Sequence, residues 1–194
     1  MKNFKYYDPV EAYVAKSFGL NQVEITHLKR TAHWVRILTP KADEALLIAA
    51  VSHDIERAFK EEPVKEIDQP NKSFLDENQL FYHQEKGALL MEEYLGFLKA
   101  PDDLTKRVVR LISRHELGGY KDENILKDAD SISFFENNVD FFLSVIVQKT
   151  TLSVIREKFD WMYHRISLDE AKKFCRPWYE TALDRIESIS NRST

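Results

Sequence analysis

The stretch Ala45–Phe59, which reads ALLIAAVSHDIERAF, combines an apolar run with the pair His53-Asp54 directly after it. Its apolar positions recur at helical spacing, which predicts a buried helix over about 42–59. Adjacent residues on a helix point about 100° apart. A single ion lying off the helix surface between those two directions can therefore contact both side chains. The stretch predicts a core helix with a chemically active pair of side chains near its end.

Outside this stretch the chain has the pattern of an all-helical protein. Only 5 glycines and 6 prolines occur in 194 residues, so turns are scarce and the elements should be long. Eight helices are predicted, at about 8–19, 23–38, 42–59, 79–97, 102–115, 122–138, 141–165 and 168–189. The charged segment 60–78 holds two prolines and no helical periodicity, and we interpret it as a long loop. The expected fold is a helical bundle of about seven or eight helices.

Composition and charge limit the classes of protein to which the chain can belong. A length of 194 residues suits one domain, which we take to span 1–194. The net charge of −4 argues against a dedicated nucleic-acid surface. No apolar run is long enough to span a membrane, and no signal peptide is visible. The single cysteine, Cys175, cannot form an internal disulfide, so we expect a cytoplasmic protein.

The helix before this apolar stretch carries a histidine that can face His53. His27 lies within ITHLKRTAHWVRIL, and a short loop separates this helix from the next. Consecutive helices joined by a short loop usually pack antiparallel, which brings His27 and His53 onto facing surfaces. His33 is the alternative, but it lies close to the end of its helix near Thr39. We therefore favour His27.

Three further side chains have settings that indicate metal binding. Asp130 lies in the apolar segment ILKDADSISFF, where an unpaired carboxylate would cost several kcal/mol. A bound cation removes that cost, and Asp128 is the alternative carboxylate. His115 ends a predicted helix and His83 lies near the start of another. Imidazole and carboxylate together suit iron, manganese, zinc, cobalt or nickel better than calcium.

The ordered set of these residues resembles the H…HD…H…H…D pattern of the HD superfamily of metal-dependent phosphohydrolases. The local context is similar as well: H-x-x-R at His27–Arg30, RHELGG around His115 and DAD at Asp128–Asp130. The resemblance covers about 25–135. It implies a single HD-type domain, with a metal-binding core at about 22–138 and supporting C-terminal helices at about 139–190.

The resemblance also implies how the ligands divide between ions. In that family the first histidine, the HD pair and the distal aspartate hold one metal, which here means His27, His53, Asp54 and Asp130. In the two-metal members the HD aspartate also bridges to a second ion held by the intervening histidines, matched here by His83 and His115. The expected cofactor is one or two divalent ions, chosen from Mn, Fe, Co, Ni, Zn and Mg.

Charged residues beside these ligands are candidates for the catalytic roles. Arg30 and Arg57 each follow a ligand histidine by about one helical turn and can bind phosphate oxygens, with Arg114 and Lys127 as further candidates. Glu56 and Glu116 can orient or deprotonate a water. Asp54 is expected to be both a metal ligand and a catalytic residue.

The expected function is hydrolysis of a small phosphate ester, a nucleotide or related monoester or diester, by a metal-activated water. The expected partner is therefore a small phosphorylated substrate, with no membrane; a homodimer is compatible with the sequence. Two alternatives stay open. Some two-iron members of the superfamily are oxygenases with the same ligands, and the chain can also be a non-catalytic binding or signalling module of the same fold.

Overall fold

Nine α-helices build the part of the chain that the computed structural model describes, residues 4–59 and 74–192. No strand occurs among these residues, which confirms the predicted all-α fold. Most of the predicted loop at 60–78 lies outside the described residues. The helices are α1 (Tyr7–Phe18), α2 (Gln22–Leu38), α3 (Glu44–Ser52), α4 (Glu77–Phe97), α5 (Asp102–Ile112), α6 (Lys121–Asn137), α7 (Val139–Ser144), α8 (Leu152–His164) and α9 (Asp169–Arg192).

Helix α3 lies at the centre of the fold. Every residue from Ala45 to Ser52 is buried, because α1, α2, α5 and α6 pack around the helix. This explains why the segment is apolar on all sides and has no polar face. Because α3 ends inside the protein, the next two residues, His53 and Asp54, are buried as well.

Side-chain caps fix where several helices begin. Asn21 accepts a hydrogen bond from the backbone N–H of Glu24, and Asp43 accepts one from Leu46. Asp76 caps α4 in the same way. Each cap satisfies a backbone donor that the first helical turn leaves without a partner.

Two of the predicted helices are shorter or more broken than the sequence suggests. The predicted helix at about 42–59 ends as an α-helix at Ser52 and continues as a 3-10 turn over Ile55–Phe59. The predicted helix at about 141–165 is divided into α7, a 3-10 turn at Ile146–Gln148 and α8. The β-branched residues before this break favour helix weakly, and the Thr151 side chain accepts from the Val154 N–H to start α8 anew.

A glycine allows α4 to approach the end of α3. A Cβ atom at Gly87 would lie 3.1 Å from the backbone oxygen of His53, closer than most side chains tolerate. His83 lies one turn earlier on α4, and this close approach places it beside Asp54.

The C-terminal helices close the other side of the domain. Helix α9 packs against α6 and α8, so it covers the helix that carries Asp130. Among the described residues no helix is both long enough and apolar enough to cross a membrane.

Candidate metal centre

The fold brings all six predicted metal ligands into one buried cluster. They come from five consecutive segments of the chain: the middle of α2, the end of α3, the second turn of α4, the turn after α5 and the middle of α6. In chain order they are His27, His53, Asp54, His83, His115 and Asp130, and all are buried.

The carboxylate of Asp130 connects the first two histidines. Its Oδ1 atom lies 3.1 Å from Nε2 of His27 and 3.4 Å from Nε2 of His53. The three side chains offer one potential ligand atom each, all within 4.8 Å of one another. They form a candidate site for one ion.

The carboxylate of Asp54 lies among three imidazoles. Its Oδ1 atom is 2.7 Å from Nε2 of His83, 3.6 Å from that of His115 and 3.8 Å from that of His53. Two further groups of potential ligands follow, His53 with Asp54 and His115, and His83 with His115 and Glu116. The three groups share His53 and His115, and Asp54 contacts histidines of all three groups, so the cluster offers more than one candidate position for an ion.

Backbone carbonyls hold two of the imidazoles in one orientation. Nδ1 of His53 lies 3.0 Å from the Ala50 oxygen, and Nδ1 of His115 lies 2.7 Å from the Ile112 oxygen. A carbonyl oxygen only accepts hydrogen bonds, so each Nδ1 carries the proton and donates. In the neutral ring the lone pair is then on Nε2, which faces the cluster.

Side chains hold the imidazoles of His27 and His83 in the same orientation, with Nδ1 donating a hydrogen bond. The Ser133 hydroxyl donates to the His27 backbone oxygen at 2.7 Å, so it accepts from Nδ1 of His27 at 2.9 Å. Nδ1 of His83 lies 2.7 Å from Oε2 of Glu56 and donates to it. All four rings therefore present Nε2 to the cluster, the arrangement that partners of metal-binding histidines usually enforce.

Unsatisfied atoms in the cluster support metal binding directly. Nε2 of His53 and Nε2 of His115 are fully buried and make no hydrogen bond within residues 4–59 and 74–192. Burying a polar atom without a partner costs about 1–3 kcal/mol. A divalent ion would bind both atoms in the neutral form of each ring, and the mixed imidazole and carboxylate set suits a transition metal. The residues present fit the metal that the sequence pattern implies.

Positive neighbours keep both central carboxylates ionised. Burial alone would raise the pKa of Asp130, but Arg165 and His53 hold that pKa well below its usual range. Burial likewise opposes ionisation of Asp54, and Arg57 and His53 hold its pKa well below its usual range. Both side chains are therefore anions at neutral pH, the form that binds a cation.

The imidazoles differ in their affinity for protons. Burial would lower the pKa of His53, but the carboxylates of Asp54 and Asp130 outweigh burial and raise it to about 9. Burial dominates at His115 and lowers its pKa. Metal binding at His53 must therefore release a proton, so metal affinity should increase with pH.

A buried arginine that sequence reasoning missed completes the cluster. Arg165 lies just after α8, and its guanidinium bonds both to Asp130 and to Glu116. Its Nε donates to the Ser131 hydroxyl at 2.9 Å. The sequence held one signal: Arg165 lies at helical spacing from Ile155 and Met162, on the buried side of α8.

Of the predicted catalytic residues, Glu56 and Arg57 contact the cluster and Arg30 does not. Glu56 is buried against His83, and Nε of Arg57 donates to Oδ2 of Asp54 at 2.8 Å. Arg30 points elsewhere: its guanidinium bonds both carboxylate oxygens of Glu136, at 2.7 and 2.8 Å. The structure therefore brings Glu56 and Arg57 to the cluster and leaves Arg30 in a separate ion pair.

The alternative candidates also lie apart from the cluster. His33 is exposed on α2. Asp128 accepts hydrogen bonds from the backbone N–H groups of Ser167 and Leu168 and so ties α6 to the start of α9. Lys127 donates to the Ser167 hydroxyl. Arg114 is exposed.

A cavity of about 450 Å³ opens onto the cluster. Asp54, His83 and Asp130 form part of one wall. The rest of the lining combines polar side chains, Lys158 and Asn138 among them, with apolar and aromatic ones. The apolar and aromatic side chains are Phe74, Leu80, Tyr82, Phe134, Phe141, Phe142, Val145, Ile146 and Met162.

His115→Ala should remove one ion and leave the other. The variant keeps the His27, His53 and Asp130 group intact but deletes a member of both remaining groups. Elemental analysis of metal per chain measures this directly. The matched control is His33→Ala, which deletes an exposed imidazole. Unchanged metal content in the His115 variant would mean that His115 is not a ligand.

Ser133→Ala should weaken metal binding without deleting a ligand. The hydroxyl orients the His27 ring, and losing such a partner typically lowers metal affinity about 10- to 100-fold. Competition with a chromogenic chelator measures the change. Ser188→Ala, which removes an exposed hydroxyl bonded within α9, is the control. Equal affinities in both variants would contradict the orienting role.

Comparison with known proteins confirms the HD-type fold. No family model and no curated protein matches the chain. A crystal structure of a predicted HD superfamily hydrolase from an uncultured Thermotogales bacterium aligns with 100% of this chain and 97% of its own, with a TM-score of 0.56 and 16% identity. At that identity the likeness establishes the fold, and the resemblance noted from the sequence is confirmed at this level.

Proposed function

We propose that the protein is a metal-dependent phosphohydrolase acting on a small phosphate ester. One observation carries the proposal: four imidazole Nε2 atoms and two ionised carboxylates converge in one buried cluster. Four members of that cluster line a cavity of about 450 Å³: His27, Asp54, His83 and Asp130. The HD-type fold and its hydrolase neighbour support the same reading.

The residues of the cluster divide into those that would hold the ions and those that orient them. His27, His53 and Asp130 would hold one ion, and His83 and His115 the other, with Asp54 between them. When bound, the divalent ions lower the pKa of water and neutralise charge that develops on a phosphoryl group.

The chain's own side chains prepare this centre for a negatively charged substrate. Glu56 fixes the His83 ring by accepting from its Nδ1, so we assign it an orienting role. Arg57 holds Asp54 in place and also lines the cavity, where its positive charge favours a phosphate. The bond of Glu116 to Arg165 keeps that carboxylate ionised beside His115.

The cavity favours a small substrate with a partly apolar organic group. Its volume lies in the range of pockets that enclose drug-sized molecules, about 300–1,000 Å³. The phosphate end would face the metal cluster, and the organic part would contact Phe134, Phe142 and Met162. The lone cysteine, Cys175, is buried and unpaired, which supports action in a reducing compartment such as the cytoplasm.

Metal-reconstituted protein tests the proposal. We expect release of inorganic phosphate or of a nucleotide from at least one ester in a panel of nucleotides, sugar phosphates and aryl phosphates, with Mn, Co, Ni, Mg or Fe. Chelation should abolish the release, and adding the metal back should restore it. No product with any of these metals would contradict the proposal. Oxygen consumption by the iron-loaded protein would favour the oxygenase alternative.

A further inference from the structure

Lys158 is a buried cation that forms no ion pair with any residue in 4–59 or 74–192. It lies on α8 and is only 8% exposed. Within the described parts of the chain its ammonium group makes no hydrogen bond or ion pair; its contacts are with aromatic rings. Lysines are almost never this buried unless they are paired, which indicates that a partner outside these contacts binds the ammonium group.

The aromatic contacts compensate only part of the cost of burial. Nζ lies 4.6 Å from the centroid of the Trp161 ring and 6.0 Å from that of Phe134. Such cation–π contacts contribute about 0.5–2 kcal/mol. Burial lowers the pKa of Lys158 to about 8, with Glu116 opposing the shift and Arg165 adding to it. The side chain still carries its charge in most molecules at neutral pH.

The carboxylates near Lys158 are already bound by other cations. Arg165 bonds both Glu116 and Asp130. Arg57 donates to Asp54. Lys158 therefore shares these carboxylates with arginines that already bond them, and none of the three is dedicated to it.

Lys158 also lines the cavity onto which the metal cluster opens. Asp54 and Asp130 lie on the same cavity, so a group bound there meets both the metal ligands and the α8 face. An ammonium group has three donors and no acceptor, so its natural ligand is an anionic oxygen.

We propose that Lys158 binds a non-bridging phosphoryl oxygen of the substrate. This inference rests on the proposed function and extends it by naming the residue on α8 that faces the metal cluster across the phosphate. The phosphate would then supply the ionic partner that Lys158 lacks among the described residues.

Inorganic phosphate is a suitable probe of this contact, because it is the common product of phosphomonoester hydrolysis. Its affinity for the metal-loaded protein is measured by calorimetry for the parent, Lys158→Met and Lys158→Gln. The control is Lys106→Met, which removes an exposed lysine on α5. Metal content and the urea midpoint are measured for each variant.

We expect both Lys158 variants to bind phosphate about 10- to 100-fold more weakly, the effect of losing one charged hydrogen bond. Metal content should stay unchanged, and the urea midpoint should hold or rise because a buried charge is gone. Lys106→Met should bind like the parent. Methionine is apolar and glutamine is polar, so at least one of the two Lys158 variants should fold. One folded variant is enough for the test.

The outcomes separate this inference from the proposed function. Equal phosphate affinity in parent and variants would overturn the role of Lys158 while leaving the hydrolase proposal intact. Loss of metal from both variants would identify Lys158 as a support of the metal cluster and would also overturn it. A metal-loaded parent that binds no phosphate and hydrolyses no ester would overturn both.

Discussion

Asp54→Asn is expected to remove metal binding and catalysis together. Oδ1 of Asp54 lies within 3.8 Å of Nε2 in three of the four histidines, more of them than any other carboxylate in residues 4–59 and 74–192 contacts. The amide keeps the shape but loses the charge that attracts the ions, and it leaves Arg57 without its anion. A metal centre stabilises a phosphoryl transition state by several kcal/mol, so we expect activity to fall about 10³-fold or more.

Elemental analysis and a phosphate-release assay on the same preparation test this expectation. The matched control is Asp103→Asn, in the exposed first turn of α5. Circular dichroism shows whether the helices survive. A folded Asp54 variant with the metal content of the parent would exclude Asp54 as a ligand.

Arg165→Met should cause the largest loss of stability. The guanidinium is 6% exposed and bonds both Asp130 and Glu116, so its removal takes the main counter-charge from two buried carboxylates. Breaking a buried ion pair by removing one partner costs about 3–5 kcal/mol. We expect the urea-unfolding free energy of the metal-free protein to fall by that amount.

The control for Arg165 is an exposed ion pair. Arg185 is 44% exposed and pairs with Asp140, so Arg185→Met should cost less than about 1 kcal/mol. Similar losses in the two variants would contradict the central role of Arg165.

The acid sensitivity of the parent gives a second readout of the Arg165 contacts. Burial opposes ionisation of Glu116, but Arg165 and Lys158 lower its pKa to about 2. A lowered pKa contributes stability above the ordinary pKa of a glutamate, and that stability is lost as the pH falls towards 2. Arg165→Met should lose this contribution, which urea melts between pH 5 and pH 3 would reveal.

The sequence was sufficient to predict which six side chains meet in the buried cluster, because each lies in a recognisable local setting. Asp54 follows a helix that is apolar on every side, and Asp130 interrupts an apolar segment. Such patterns depend on a few neighbouring residues. The all-α fold follows from the same helical periodicity and from the scarcity of glycine and proline.

The cations around the ligands depended on contacts between distant parts of the chain. Arg30 resembles a phosphate-binding residue beside His27, yet it pairs with Glu136, 106 positions away. Arg165 contacts Asp130 from 35 positions away. Local patterns do not encode these pairings, although Lys158 and Arg165 are seven residues apart, a spacing typical of one side of a helix.

Arg165 should also determine when the cluster can close during synthesis. Five of the six predicted metal ligands are translated before residue 116 and Asp130 soon after, but the guanidinium that bonds Asp130 and Glu116 arrives only with the turn after α8. Until that turn has left the ribosome, burying both carboxylates would cost free energy without this cation, so we expect the cluster to stay open until then. Maturation of the centre is therefore a late event, and a chain that stalls earlier would present an incomplete domain to chaperones and proteases.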